Sequence, residues 1–474
     1  MVAENTAAKY FLEKYASLNP EFVSSGLSNK KYYELWQRVQ NKKTSLIIGT
    51  RVGLFLPFQN LGLIIVDDES NEAYKSDMTP RYHGADLAQE IARIHSAKTI
   101  YNAVVPRLET FNKHPENHLS NLKLSSAVVN MIDEIKAGNF SIFSRDLKDL
   151  LIDLKNDQKN AILYIPRRGH ANFIFCQTCS KPILCPNCNA SLVLHEITAP
   201  VLICHHCNYS QPKPKQCSYC KSYSLKSYGI GIEKVEDEIK KFFKYRNLDL
   251  PKLFRLDSGS VKTEAEEMKI IDGFMKTKGS IIITTQIIFS YKYLIKSDVA
   301  GIINADTLIN IPDFRAEESL FRDLLTLSYM ASKVVIQTHN PEQIAIKLAS
   351  IGNQEEFLKN ELENRKEFSY PPFSMLTKIT YHHQDSFRAR KEAVILAEKL
   401  KTIIKYESGL KDIEIIGPNP GFISKERGYY IWNIVLKFKT ITGQIDNEKL
   451  KARNKLLRAV PTGWSIDQDP KSII

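Results

Sequence analysis

The chain has 474 residues, 43% hydrophobic and 25% charged, with a formal net charge of +12 and a pI near 9.0. At roughly 150 residues per domain, this length predicts about three domains with ample chain for hydrophobic cores. No apolar run reaches the ~18 to 20 residues of a membrane span, and the opening MVAENTAAKYFLEKY lacks a signal peptide's apolar stretch. The expectation is a cytoplasmic protein with reduced thiols, no membrane partner and a polyanionic one, nucleic acid above all. There is no internal repeat, coiled coil or long low-complexity segment.

In chain order, SLIIGT (45–50) reads as a short buried strand ending in a turn. LGLIIVDDE (61–69) reads as a second, ending in three acids. Carboxylates at the C-terminal end of a buried parallel strand stand where such sheets bind ligands. Asp67 is thus a candidate for magnesium–nucleotide coordination, with Asp68 beside it. The alternative is an N-cap cluster for the next helix. NAILYIP (160–166) is another buried strand, followed by the basic turn Arg167–Arg168–Gly169. Those arginines are either phosphate contacts or a solvated turn.

All eight cysteines follow: Cys176, Cys179, Cys185, Cys188, Cys204, Cys207, Cys217 and Cys220. They form four C-x-x-C pairs separated by 5, 15 and 9 residues. A C-x-x-C turn brings two thiolates to one ion, and two turns complete a tetrahedron. Eight thiolates therefore predict two closed, structural zinc sites. Spacing leaves adjacent and nested pairing both open. His205 and His206, between Cys204 and Cys207, are read as solvent-facing turn residues. Lys213 and Lys215 in QPKPKQC are candidate phosphate contacts or a solvated basic surface.

GIGIEKVEDEIKKFF (229–243), SIIITTQIIF (280–289) and VAGIINADTL (299–308) alternate strand with helix, so α/β structure continues beyond the cysteines. The cysteine module is then an insertion within a domain. A charged helix around QEEFLKNELENRKEF is broken by YPPF at 370–373. The remainder reads as a small α+β domain. Within it, ERGYYIWNIVLKF (426–438) reads as an amphipathic strand rather than a base-stacking surface.

Taken together these segments resemble the replication restart helicase PriA family, also called primosomal protein N'. The resemblance rests on SGLS (25–28) with Trp36, IGTRVGLFLPFQNLGLIIVDDES (48–70), YK (74–75), RYHGADLA (81–88) and PRRGHANFIFC (166–176). It continues through the cysteine spacing, GIGIEKVEDEI, NADTLINIPDFRAEE, QTHNPE, YPPF, GPNP and IDQDP. It implies an α/β fold of two RecA-like helicase lobes, the first truncated at its N-terminus. A double-zinc module is inserted in the second lobe, and an α+β DNA-binding domain follows at the C-terminus. The expected divisions are a partial first lobe over 1–112 and a connector with the start of the second lobe over 113–172. The zinc insertion follows over 173–225, the rest of the second lobe over 226–350, and the C-terminal domain over 351–474. The family's nested pairing puts Cys176, Cys179, Cys217 and Cys220 on one zinc and Cys185, Cys188, Cys204 and Cys207 on the other. The family hydrolyses ATP with magnesium, translocates on DNA, remodels stalled forks and recruits partners. The implied partners are forked or single-stranded DNA, primosome proteins and single-stranded-DNA-binding proteins, in the bacterial cytoplasm at the nucleoid.

The departures fall on the motor. No G-x-x-x-x-G-K-[ST] loop occurs, and the chain is expected to begin past it. Asp68 stands at the family's catalytic glutamate and Ser70 at its histidine. Asn102 to Pro106 replace the coupling motif G-S-A-T-P. In TTQIIFSYKYL, Ser290, Tyr291 and Tyr293 replace lysine, glycine and aspartate. Met330 and Lys333 stand at the two arginines of the arginine-finger motif, a motif worth about 10³ to 10⁵ in rate. Ile431 replaces a C-terminal arginine. The expectation is a family member that keeps shape, zinc and basic surface without ATP turnover. The alternatives are an active helicase whose phosphate loop comes from elsewhere, and a structural or recruiting protein without DNA affinity.

Overall fold

A computed structural model describes the chain apart from residues 116–123, 167–173, 177, 179–181, 188–189, 197–199, 228–230, 258, 408–409, 411–412 and 441–446. The first lobe runs through α1 (Asn5–Lys14), β1 (Glu21–Val23), α2 (Asn29–Gln40), β2 (Ile47–Gly49), β3 (Leu63–Asp67), α3 (Gly84–Ile94), β4 (Lys98–Asn102) and α4 (Leu108–Lys113). The strands pair in parallel, β1 with β2 and β3 with β4. The small residues Ala85, Ala88 and Ala92 recur at helical spacing in α3. They let that helix lie against Ile64 and Val66 of β3.

The second lobe opens with β5 (Ser126–Asn130), α5 (Met131–Lys136), α6 (Arg145–Asp153) and β6 (Ala161–Tyr164). The cysteine module then contributes β7 (Ile174–Cys176), β8 (Val193–Glu196), β9 (Pro200–Ile203), β10 (Ser210–Pro212) and β11 (Leu225–Ser227). The lobe resumes with α7 (Ile232–Tyr245), β12 (Lys252–Leu256), α8 (Glu264–Lys276), β13 (Ser280–Thr284), β14 (Ser297–Ile302), α9 (Asp306–Ile309), α10 (Ala316–Met330), β15 (Ala331–Thr338), α11 (Ile344–Ile351) and α12 (Gln354–Glu367). Six strands make one parallel sheet, ordered β12-β13-β6-β14-β15-β5. A parallel sheet is covered on both faces, which explains unbroken apolar runs such as AILY. Ile162, Tyr164 and Ile302 face a core shared with Phe321 and Leu324 of α10. Ala161, Leu163 and Val299 face the opposite core, with Val235, Ile239 and Phe243 of α7. The module leaves this sheet after its interior strand β6 and is closed at its neck by β7 pairing antiparallel with β11.

The C-terminal domain comprises β16 (Ser374–His383), α13 (Ser386–Tyr406), β17 (Ile413–Glu426), β18 (Tyr429–Lys439), α14 (Asn447–Arg458) and β19 (Ser465–Gln468). Its antiparallel sheet is ordered β17-β18-β16-β19. The helix before it ends at Glu367, just short of YPPF. The amphipathic reading of 426–438 needs correction, because β18 is buried continuously from Trp432 to Phe438. Ile434, Leu436 and Phe438 meet Leu396 and Leu400 of α13. Val435, on the other face, joins a cluster with Phe314 of the second lobe and Tyr370. Among the described residues, no helix is long and apolar enough to cross a membrane.

Salt links join the three bodies. Lys75, 5% exposed, donates to the carbonyls of Arg81 and Gln468 and lies 3.1 Å from Asp467. Arg315 of the second lobe bonds Glu109 at 2.8 Å. Within the second lobe, Arg365 pairs with Glu318 at 3.0 Å and with Glu361 at 2.6 Å.

Candidate functional site: the cysteine module and the inter-lobe cleft

The cysteines sit on tight turns closed by backbone bonds. The amides of Cys185, Cys204 and Cys217 donate to the carbonyls of Ala190, Tyr209 and Ser222. Asn208 and Lys221 take positive φ, 63° and 60°, to finish two of these turns. The β7–β11 register sets Cys176 opposite Leu225, five positions past Cys220 in the chain, and so brings the module's two ends together. The sulfurs of Cys176, Cys217 and Cys220 lie within 4.8 Å of one another, and so do those of Cys185, Cys204 and Cys207. Cys176 and Cys220 sulfurs are 3.4 Å apart, and Cys185 and Cys207 sulfurs 3.5 Å. Sulfurs at 2.3 Å from a tetrahedral zinc stand about 3.8 Å from each other, so these clusters fit the ion. Cys179 and Cys188 lie outside the described residues.

The histidine reading is corrected. His205 is 3% exposed, and its Nε2 lies 3.0 Å from Nε2 of His195, itself 1% exposed. Burial pushes His195 down to about 4 and His205 well below its ordinary value, so both are neutral and one donates to the other. His206 Nδ1 is 3.2 Å from the Tyr370 hydroxyl. Asn208 Oδ1 accepts from the Gly417 amide at 2.7 Å and from Asn419 at 3.0 Å. These residues fasten the module to the C-terminal domain, a role that a local sequence reading does not show.

Lys213 and Lys215 are exposed on the module, and neither forms an ion pair among the described residues. Exposed Tyr219, Lys221 and Tyr223 lie close in sequence. Sequence reasoning passed over these tyrosines, although aromatic residues interleaved with lysines are the available signal. Arg167 and Arg168 fall outside the described residues.

The acids after β3 lie at the cleft between the lobes. Asp67 is 6% exposed and accepts from the Tyr293 hydroxyl at 2.9 and 2.8 Å and from Asn102 at 2.8 Å. Burial pushes its carboxyl above the ordinary value, and the bonds from Asn102 and Tyr293 oppose that. Asp68 is paired with Lys292 at 2.5 Å. Glu69 is buried, accepts from Thr110 at 2.6 Å, and is pushed up to about 7 by burial. Asn71, not an acid, caps the following turn.

The opening residues occupy this region too. Met1 donates to the Ile65 carbonyl, Asp67 to that of Met1, and Val2 to that of Gly49. They therefore run between β2 and β3 and lead into α1. The space left between Glu4, Asp67, Asp68, Ser290, Lys292 and Tyr293 is about 10 Å³. Asp67 and Asp68, the acids that would face a magnesium ion, are already bonded to Tyr293, Asn102 and Lys292. Met330, at an arginine-finger position, is buried in the second-lobe core.

Comparisons with known proteins agree with this layout. A family model for the primosomal protein N C-terminal domain matches residues 366–471, and one for the PriA DNA helicase Cys-rich region matches 185–212. The module binds zinc, as that match and the two cysteine clusters indicate. Replication restart protein PriA of Bacillus subtilis is 31% identical over 438 residues, covering 89% of this chain and 53% of its own. Its counterpart from Synechocystis is 32% identical over 475 residues, covering 95% and 55%. RecG bound to a three-way DNA junction is matched at a TM-score of 0.40 and 10% identity, over 77% of this chain and 39% of that one. The chain spans about half the length of the curated relatives it matches. The chain is thus similar to PriA replication restart proteins along most of its length, and both PriA family models match within it.

Proposed function

We propose that this chain serves replication restart by binding forked or single-stranded DNA in the cytoplasm, without turning over ATP. Its partners are the DNA and, through it, primosome and single-stranded-DNA-binding proteins. Two zinc ions hold the module rigid, one on Cys176, Cys179, Cys217 and Cys220, the other on Cys185, Cys188, Cys204 and Cys207. The observation that carries the DNA reading is the exposed run Lys213, Lys215, Tyr219, Lys221 and Tyr223 on that module, in a chain of net charge +12. Lysines reach phosphates and tyrosine rings stack unpaired bases. Arg167 and Arg168, which precede the module in the sequence, are further phosphate contacts in this reading. Absence of turnover is supported by the filled cleft and by Met330 and Lys333 at the arginine-finger positions.

The test is fluorescence anisotropy of labelled fork, single strand and duplex across a salt series. Each phosphate contact on a single strand contributes about 0.7 to the slope of log affinity against log salt. Replacing Lys213 and Lys215 by alanine should weaken binding and lower that slope by about 1.4. A salt-independent response, or none, would remove the DNA reading.

A further inference from the structure

We propose that the inter-lobe cleft is a self-filled joint that holds the two lobes in one orientation whether or not nucleotide is present. The inference deepens the reading above only where that reading excludes turnover, and it is independent of DNA affinity.

In a parallel α/β lobe, anions bind where strand C-termini meet the N-terminus of the next helix. Here the neighbouring space between the lobes is lined by the chain's own side chains. Glu4 is the residue before α1, and its carboxyl is drawn toward Ser290 and Asn71. That carboxyl makes no cap bond to α1 and lies instead in the space between the lobes. The second lobe then reaches across. Tyr293 donates to both oxygens of Asp67, and the Lys292 ammonium sits on Asp68, supplying the positive charge a metal would bring.

The joint extends along α1. Thr6 donates its hydroxyl to the Ser290 carbonyl at 2.8 Å. The Tyr10 ring stacks on Tyr293 at 5.1 Å and 10°, and Phe11 meets the same ring edge-on at 5.3 Å. On a neighbouring side, Arg322 donates to the Ser70 carbonyl at 2.9 Å. The residual volume among these side chains is about 10 Å³. A motor requires a cleft that opens and closes with its ligand. Opening this one would strip Asp67 of its tyrosine donor and Asp68 of its cation, and would separate three packed rings. Nothing in a nucleotide could replace those contacts while they remain in place.

The experiment is hydrogen exchange by mass spectrometry on the zinc-loaded chain, with and without millimolar Mg·ATP, alongside titration of a fluorescent ATP analogue. Residues 1–14, 63–71 and 286–294 should be protected equally in both states, and the analogue should not bind. In the double variant Lys292→Met, Tyr293→Phe, exchange in those segments should rise at least tenfold, while β16 and β18 stay unchanged. Saturable binding of the analogue, a nucleotide-dependent change in the wild type, or unchanged exchange in a folded double variant would each overturn the proposal. Should the double variant not fold, Tyr293→Phe alone removes one hydroxyl and keeps the stack, and the same criteria apply to it.

Discussion

Zinc removal tests how the module is held. One hydrophobic cluster of the module contains four buried aliphatic side chains: Ile174, Ile183, Leu192 and Leu202. At about 1.5–3 kcal/mol each they supply about 6–12 kcal/mol. One structural zinc supplies about 10–16 kcal/mol. The two ions together therefore outweigh this cluster, and chelation removes the larger contribution. The lobes keep their own extended cores, Phe321 with Phe357 on one face of the sheet and Phe143 with Leu147 on the other, so metal loss leaves them folded. The assay is timed trypsin digestion after chelation, mapped by mass spectrometry, with metal content measured in parallel. Cleavage after Lys215 and Lys221 should accelerate at least tenfold, while fragments from α7 to α13 persist. Cys185→Ser should bind one zinc in place of two. A metal-free chain as resistant at those lysines as the loaded one would refute the reasoning, because the aliphatic core would then suffice.

Other expectations follow from single contacts. Lys75→Met keeps the stem and deletes the ammonium, leaving Asp467 with Arg81 alone at 3.4 Å. Breaking such a buried pair costs about 3 kcal/mol, read by chemical denaturation, and an effect below about 0.5 kcal/mol would show the link to be idle. Glu69 sits near 7 when folded, against an ordinary value of 4.5. Between those values the folded chain binds the extra proton, so stability falls as pH rises through the window, by up to about 3 kcal/mol. Glu69→Gln should remove that share of the decline, and an unchanged pH slope from 5 to 7.5 would contradict it. Asn208→Ala should expose the Gly417 amide to exchange without loss of zinc, whereas an unchanged rate would mean that the module is fastened elsewhere.

The parts legible in the sequence were those set by local pattern. AILY and SIIIT announce strands because a parallel sheet needs apolar residues on both faces. The C-x-x-C pairs announce metal because two thiols at that spacing share one ion. What was not legible depends on distant partners. Trp432 to Phe438 look amphipathic until the second lobe covers their outer face. His205 looks like a turn residue until His195 meets it in the module's interior. Tyr293 stands 226 residues from Asp67, so its grip on that carboxylate has no local signature.

The central claim is that this chain is a PriA-like protein that binds DNA without acting as a motor. It is tested most directly by ATP hydrolysis of the purified, zinc-loaded chain, with and without forked DNA. Background turnover under both conditions is the predicted result. DNA-stimulated turnover that disappears in Asp67→Ala would contradict the account, because Asp67 would then serve a working nucleotide site in place of the Tyr293 clamp.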